Sequence, residues 1–161
     1  MTGAETLLIE ARARGLRIAT AESCTGGLIA GAITEIAGAS DVFERGFVTY
    51  SNAAKIELLG VRTATLEATG AVSEETAAEM AAGALARSHA DVAVSVTGIA
   101  GPGGSEHKPE GRVCFGLATP GGVTCETVEF TAIGRSAVRQ ATVTHALEML
   151  HSAVVSISPN P

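Results

Sequence analysis

The chain has 161 residues, of which 46% are hydrophobic and 17% charged, with a net charge of −6. That balance excludes intrinsic disorder, and a domain of this length can bury roughly two-thirds of the surface its unfolded chain exposes. No apolar run approaches the ~20 residues of a spanning helix, and no Lys/Arg cluster exists beyond Arg12, Arg14 and Arg17 to neutralise a nucleic-acid backbone.

Taken in chain order, residues 4–14 read as an amphipathic helix with Gly15 as its C-cap. A short strand, 17–21, runs into Glu22-Ser23-Cys24-Thr25-Gly26-Gly27, after which Leu28, Ile29, Ile33 and Ile36 make a helical stripe ending at Gly38. Residues 43–50 are strand-like, and Ser51-Asn52 starts a helix through Lys55 to Leu59, stopped by Gly60. A short helical piece spans 63–68. Ser73 reads as the N-cap of an Ala-rich helix to about Arg87, with Glu74 and Glu75 in the first turn where the helix dipole favours them.

Residues 91–97 form the clearest buried strand, and it empties into Gly98-Ile-Ala-Gly-Pro-Gly-Gly-Ser105. Strands 113–118 and 124–130 flank Pro120-Gly121-Gly122, a tight-hairpin signal. A last helix starts near Gly134, and residues 156–161 are expected to fray. This order predicts one α/β domain over 1–155, a three-layer α/β/α sandwich with a mixed sheet. In such sheets ligands sit beyond the carboxyl ends of the strands, which puts a site between the exits at 22–27 and 97–105.

The cysteines, Cys24, Cys114 and Cys125, lack C-x-x-C spacing, and His89, His107, His145 and His151 form no H-x-x-x-H pair. Neither a disulfide framework nor a metal or other cofactor is expected. With 3% aromatic residues and no Trp, the core is aliphatic and base-stacking platforms are not expected. The first residues show no basic n-region or apolar h-region, so a cytoplasmic address without membrane partners is the default.

Successive glycine N–H groups can wrap an anion, which makes Thr97, Gly98, Gly101 and Gly103 candidate binders, although Gly104 stands where a Walker A motif needs Lys. Alternatively, that stretch is a plain connecting loop. At the other exit, Ser23, Cys24 and Thr25 offer three adjacent nucleophiles at a helix start, where a Ser or Thr is also an ordinary cap. Gly26 and Gly27 there suit a backbone that something must approach closely. The chain holds two lysines, Lys55 and Lys108, and Lys55 follows the lone Tyr50 by five residues. In an apolar setting a Lys can serve as a base; in a solvated one it is a surface charge.

Ala21-Glu-Ser-Cys-Thr-Gly-Gly27, Gly46-Phe-Val-Thr-Tyr-Ser-Asn-Ala-Ala-Lys55, Gly70-Ala-Val-Ser73 and Ser95-Val-Thr-Gly-Ile-Ala-Gly-Pro102 together resemble the CinA C-terminal-domain family, the nicotinamide-nucleotide amidases. The resemblance covers residues 5–150. It implies deamidation of nicotinamide mononucleotide to nicotinic acid mononucleotide and ammonia, without a metal. It also implies Ser23 as nucleophile, Lys55 as base and Tyr50 as its assistant. Backbone N–H groups of Cys24, Thr25, Gly26 and Gly27 would hold the oxyanion, and residues 97–105 or Arg112 the nucleotide phosphate. With no counterpart of the separate N-terminal domain of longer relatives, the chain resembles the stand-alone form. A homodimer is compatible with the family, and no repeat or heptad decides it. One departure lies in Gly101-Pro-Gly-Gly-Ser-Glu-His-Lys-Pro-Glu-Gly111, one residue shorter than the family's usual loop and with Glu110 in place of a small apolar residue. A non-catalytic nucleotide-binding module and a Cys24 thiol amidase remain as rival readings.

Overall fold

A computed structural model describes residues 1–158; the rest of the predicted frayed tail, residues 159–161, lies outside the described residues. Helix α1, Gly3–Arg14, opens with a capping box in which the Thr2 hydroxyl accepts the Glu5 N–H at 3.1 Å and the Glu5 carboxylate accepts the Thr2 N–H at 2.9 Å. It is followed by β1, Ile18–Glu22, α2, Leu28–Thr34, and β2, Phe43–Val48. Next come α3, Asn52–Leu59, α4, Thr63–Thr69, and α5, Glu74–Ala86. Strands β3, Val92–Gly98, β4, Arg112–Thr119, and β5, Gly122–Glu129, precede the closing helix α6, Arg135–Ser156.

The strands lie in the order β2-β1-β3-β4-β5. Strands β2, β1 and β3 run parallel, while β4 and β5 are antiparallel to their neighbours, so the sheet is mixed. Thr119 pairs directly with Gly122 across the tight turn at Pro120-Gly121, as the sequence signal suggested. Helices α1, α2 and α6 cover one face with Leu7, Leu8, Ile29, Ile33, Val138 and Leu150 packed against Ile18, Val92, Val94, Val96 and Phe115. Helices α3 and α5 bring Leu59, Met80, Ala81 and Ala84 against Ala19, Ala21, Ala93 and Ala118 on the other. The layer order is the α/β/α sandwich expected. No helix among the described residues is long and apolar enough to cross a membrane.

The second face is built from small residues because the layers approach closely. A Cβ at Gly116 would come within 2.3 Å of the Ala77 carbonyl, and one at Gly83 within 1.9 Å of the Leu59 carbonyl. The Ala-rich α5 therefore lies tight on the sheet, and α3, which carries Lys55, lies tight on α5.

Besides β5, which begins at Gly122 and not at 124, two boundaries differ from expectation by more than a residue. The stripe at Leu28 to Gly38 is a helix only to Thr34. Beyond it, Ile36 donates to Ile33 and Ala39 to Ile36, contacts of 3₁₀ type that lead into a single 3₁₀ turn, Ala39–Asp41. Ile36 still packs on the core, so the apolar spacing outlasts the α-helix that the periodicity implied. Strand β2 stops at Val48, two residues early, which frees the carbonyls of Thr49 and Tyr50 for another use.

Candidate active site

Ser23 stands immediately beyond β1, where its N–H still donates to the Val96 carbonyl of β3 at 3.1 Å. Lys55 reaches it from the first turn and a half of α3, which Ser51 caps by accepting the Ala54 N–H at 3.0 Å. The Lys55 Nζ lies 2.9 Å from Ser23 Oγ, 2.9 Å from the Thr49 carbonyl and 3.1 Å from the Tyr50 carbonyl. These contacts divide its chemistry cleanly. The ammonium donates to all three oxygens; on losing a proton the amine keeps two N–H bonds for the two carbonyls, and its lone pair is then left for the Ser23 hydroxyl.

The lysine is buried, with 1% of its surface exposed, and among the described residues no carboxylate forms an ion pair with it. Burial accordingly lowers its pKa from 10.5 to about 8, against weaker opposing pulls from Cys24 and Glu106. Of the two sequence readings of Lys55, the surface charge is excluded by this burial. Cys24, beside the nucleophile, goes the other way: burial raises its thiol to about 11, which keeps it protonated and a poor nucleophile near neutral pH.

The turn between β1 and α2 is held by a residue that sequence reasoning passed over. Glu22, fully buried at the end of β1, accepts the Thr25 hydroxyl at 2.5 Å and the N–H groups of Gly27, Ile29 and Ala30 at 3.3, 2.9 and 3.0 Å. The donors at the start of α2 are thereby spent on an internal carboxylate, which acts as a cap placed before the turn. Gly26 donates to the Ser23 carbonyl. Of the four N–H groups expected to hold an oxyanion, those of Gly26 and Gly27 are thus engaged. Those of Cys24 and Thr25 take no carbonyl or carboxylate of another residue among the described residues. Gly26 and Gly27 have φ of 59° and 108°, so the turn itself demands glycine there. From α6, Arg139 donates to the carbonyls of Cys24 and Thr25 at 3.1 and 3.2 Å and ties the turn down.

Ser23, Cys24, Tyr50 and Lys55 line a cleft of about 320 Å³ whose far wall is the run 97–106. Thr97, Gly98, Gly101 and Gly103 all border it, while Thr25, Gly26 and Gly27 do not. The glycines do not present a free row of donors. Gly98 is required by β4, since a Cβ would meet Val113 Cγ2 at 2.6 Å, and the Gly103 N–H is taken by the Glu110 carboxylate at 2.5 Å. Arg112 does not border the cleft: its Nε binds Glu129 at 2.5 Å, a partner that faces it across the β4–β5 ladder. Lys108 is pinned to the carbonyls of Thr69 and Val72. Besides Lys55, the basic side chain among the described residues that borders the cleft is Arg135, at the start of α6, which donates to the Gly101 carbonyl at 2.6 Å and to the Tyr50 hydroxyl at 3.2 Å. Arg135 lies 112 residues beyond Ser23 in the chain, and no local spacing signals its approach.

The model of the CinA C-terminal domain matches residues 2–154. The chain belongs to the CinA C-terminal-domain family. Among relatives in the family, it is 54% identical to the nicotinamide-nucleotide amidohydrolase PncC of Escherichia coli strain K12 over 140 residues, 86% of this chain and 85% of that one. It is 66% identical over 109 residues to a CinA-like protein of Chloroherpeton thalassium, but spans only 26% of that longer chain. Among solved structures, a competence/damage-inducible protein of Agrobacterium tumefaciens superposes with a TM-score of 0.90 at 54% identity, covering 94% of this chain and 93% of that one. A CinA-superfamily protein of Klebsiella pneumoniae gives 0.91 at 35% identity, with 98% and 100% covered.

Proposed function

We propose that this protein hydrolyses the carboxamide of a nicotinamide nucleotide, releasing ammonia, with Ser23 as nucleophile and Lys55 as the base that serves it. The observation that carries the reading is the 2.9 Å contact between Lys55 Nζ and Ser23 Oγ, made by a buried lysine whose pKa is lowered to about 8. The 54% identity to a PncC amidohydrolase over most of both chains supports the substrate class.

In this mechanism neutral Lys55 takes the proton of Ser23 as Oγ bonds to the carboxamide carbon. The resulting oxyanion is held by the N–H group of Cys24, the one of the four expected donors that both belongs to the cleft wall and meets no carbonyl or carboxylate of another residue among the described residues. Lys55, now an ammonium, passes its proton to the departing nitrogen, the C–N bond breaks, and ammonia leaves an acyl ester on Ser23. A water deprotonated by Lys55 then attacks the ester, and Ser23 recovers its proton as the nicotinate product departs. Arg135 supplies the positive charge for the nucleotide phosphate, in place of Arg112.

The test is ammonia release from nicotinamide mononucleotide by purified protein, with the product identified as nicotinic acid mononucleotide. Ser23→Ala is expected to lower kcat by roughly 10³-fold or more while the nucleotide still binds. Binding without any ammonia release by the wild type would replace the enzyme with a nucleotide-binding module.

A further inference from the structure

The cleft contains a charge that the proposed mechanism does not use. Glu106 is the one carboxylate among the described residues that border it. It sits with His107 in a two-residue turn closed between Ser105 and Lys108, whose N–H and carbonyl groups exchange bonds of 3.1 and 2.8 Å. Both turn residues have positive φ, 51° and 62°, a conformation that usually selects Asn-Gly. The Lys108 ammonium, bonded to the carbonyls of Thr69 and Val72, anchors the turn against the segment that carries Gly70. The Glu106 carboxylate rests over Gly70, where a Cβ would come within 1.8 Å of Oε2. No hydrogen-bond or ion-pair partner meets that carboxylate among the described residues, yet its charge is felt at Lys55. Lys108 Nζ stands 3.2 Å from the same point over Gly70, but its bonds go to two backbone carbonyls, so an acid on the cleft wall with no bonded protein partner is placed to meet a cation on the ligand.

The ligand class has one. A nicotinamide nucleotide is an N-alkylpyridinium whose ring carries a positive charge close to the carboxamide, and hydrolysis puts a negative carboxylate on the same ring. We propose that Glu106 is the specificity-determining counter-charge for the ring: it attracts the cationic ring of the substrate and holds the product less tightly, because the new carboxylate cancels the ring's charge, favouring release. The inference rests on the proposed amidase reading, which supplies the pyridinium.

The experiment compares three ligands by calorimetry in a Ser23→Ala background, so that nothing is turned over. They are nicotinamide mononucleotide, its 1,4-dihydro form with a neutral ring, and nicotinic acid mononucleotide. Adding Glu106→Gln is expected to weaken the first by about three- to tenfold and to leave the second and third, whose rings carry no net charge, changed by less than about twofold, a range set by a screened, solvent-exposed charge. A loss confined to the ligand with a net positive ring is something a merely structural role does not produce. Equal weakening of all three, as expected if Glu106 bonded the ribose hydroxyls, would overturn the proposal, as would no change in any of them or no binding at all. Failure of the wild type to release ammonia would sink the amidase reading alone, since the three affinities still decide the role of Glu106.

Discussion

Lys55 meets Tyr50 through the tyrosine's backbone carbonyl, at 3.1 Å, while the phenol of Tyr50 turns outward to the Arg135 guanidinium at 3.2 Å. The family resemblance suggested that this tyrosine assists the base. In the present geometry any help comes from its main chain, which Tyr50→Phe leaves intact. Ammonia-release assays are therefore expected to find kcat of Tyr50→Phe within about tenfold of wild type, at or below the lower edge of the 10²–10⁴-fold that a proton-relaying side chain contributes. A loss of 10³-fold would assign the relay to the phenol after all.

The buried lysine makes activity and stability depend on pH in the same direction. Only neutral Lys55 accepts the Ser23 proton, so kcat/KM should rise with pH along a limb centred near the lowered value of about 8. Lys55→Arg should lose that limb together with the activity, because a guanidinium with pKa above about 12 cannot take the proton. Near-normal turnover by the Arg variant would remove the lysine as base.

For stability, the unfolded chain binds more protons than the folded one between about 8 and 10.5. In that window this group makes folding more favourable as pH rises, by a total on the order of 3 kcal/mol. Denaturant titrations of wild type and Lys55→Met across pH 7 to 10.5 measure it as a pH-dependent difference between the two proteins. Parallel curves would show that burial does not perturb the lysine.

Glu22 concentrates four accepted hydrogen bonds on one buried carboxylate. Glu22→Leu leaves three N–H groups and the Thr25 hydroxyl facing an apolar side chain, with each orphaned buried donor costing about 1–3 kcal/mol. The urea midpoint should fall by an amount equivalent to at least ~3 kcal/mol at unchanged m-value. A drop under ~1 kcal/mol would mean that water or local rearrangement replaces the carboxylate.

Cys24 and Ser23 adjoin in sequence but differ in reactivity. With its thiol raised to about 11, Cys24 should react slowly with iodoacetamide at neutral pH, and Cys24→Ala should retain activity within about tenfold. Rapid alkylation with parallel loss of turnover in the wild type, together with an inactive Cys24→Ala, would restore the thiol-amidase reading.

Arg135 and Arg112 separate the two assignments of the phosphate. Loss of a charge-assisted bond worth about 1.5–3 kcal/mol predicts that Arg135→Ala lowers kcat/KM for the mononucleotide by about 10- to 150-fold, while leaving the slower turnover of nicotinamide riboside nearly unchanged. Arg112→Ala should leave both nearly as in wild type. The reverse pattern would return the phosphate to the edge of β4.

Much of this protein is legible along the chain because local physics decides it. The caps at Thr2, Ser51 and Ser73, the turn at Pro120-Gly121 and the buried run at β3 are written in residues within one turn or one strand of each other. Their order alone gives the layered α/β architecture. Ser23 and Lys55 also stand out in sequence, one by its glycine-rich turn and the other by the scarcity of lysine.

What the chain order could not supply is which groups neutralise one another across the fold. Arg112 looks available until β5 brings Glu129 beside it, and the Gly103 N–H looks available until Glu110 folds back upon it. Glu22 looks like a strand end until the turn delivers three N–H groups to it. Arg135 enters the cleft only because α6 returns over the sheet to the exit of β1. Hydrogen-bond satisfaction and burial are properties of what tertiary packing places within about 3 Å, and so the availability of donors and the protonation of Lys55 were decided there, while the elements that bring them together were already set by spacing, caps and turns.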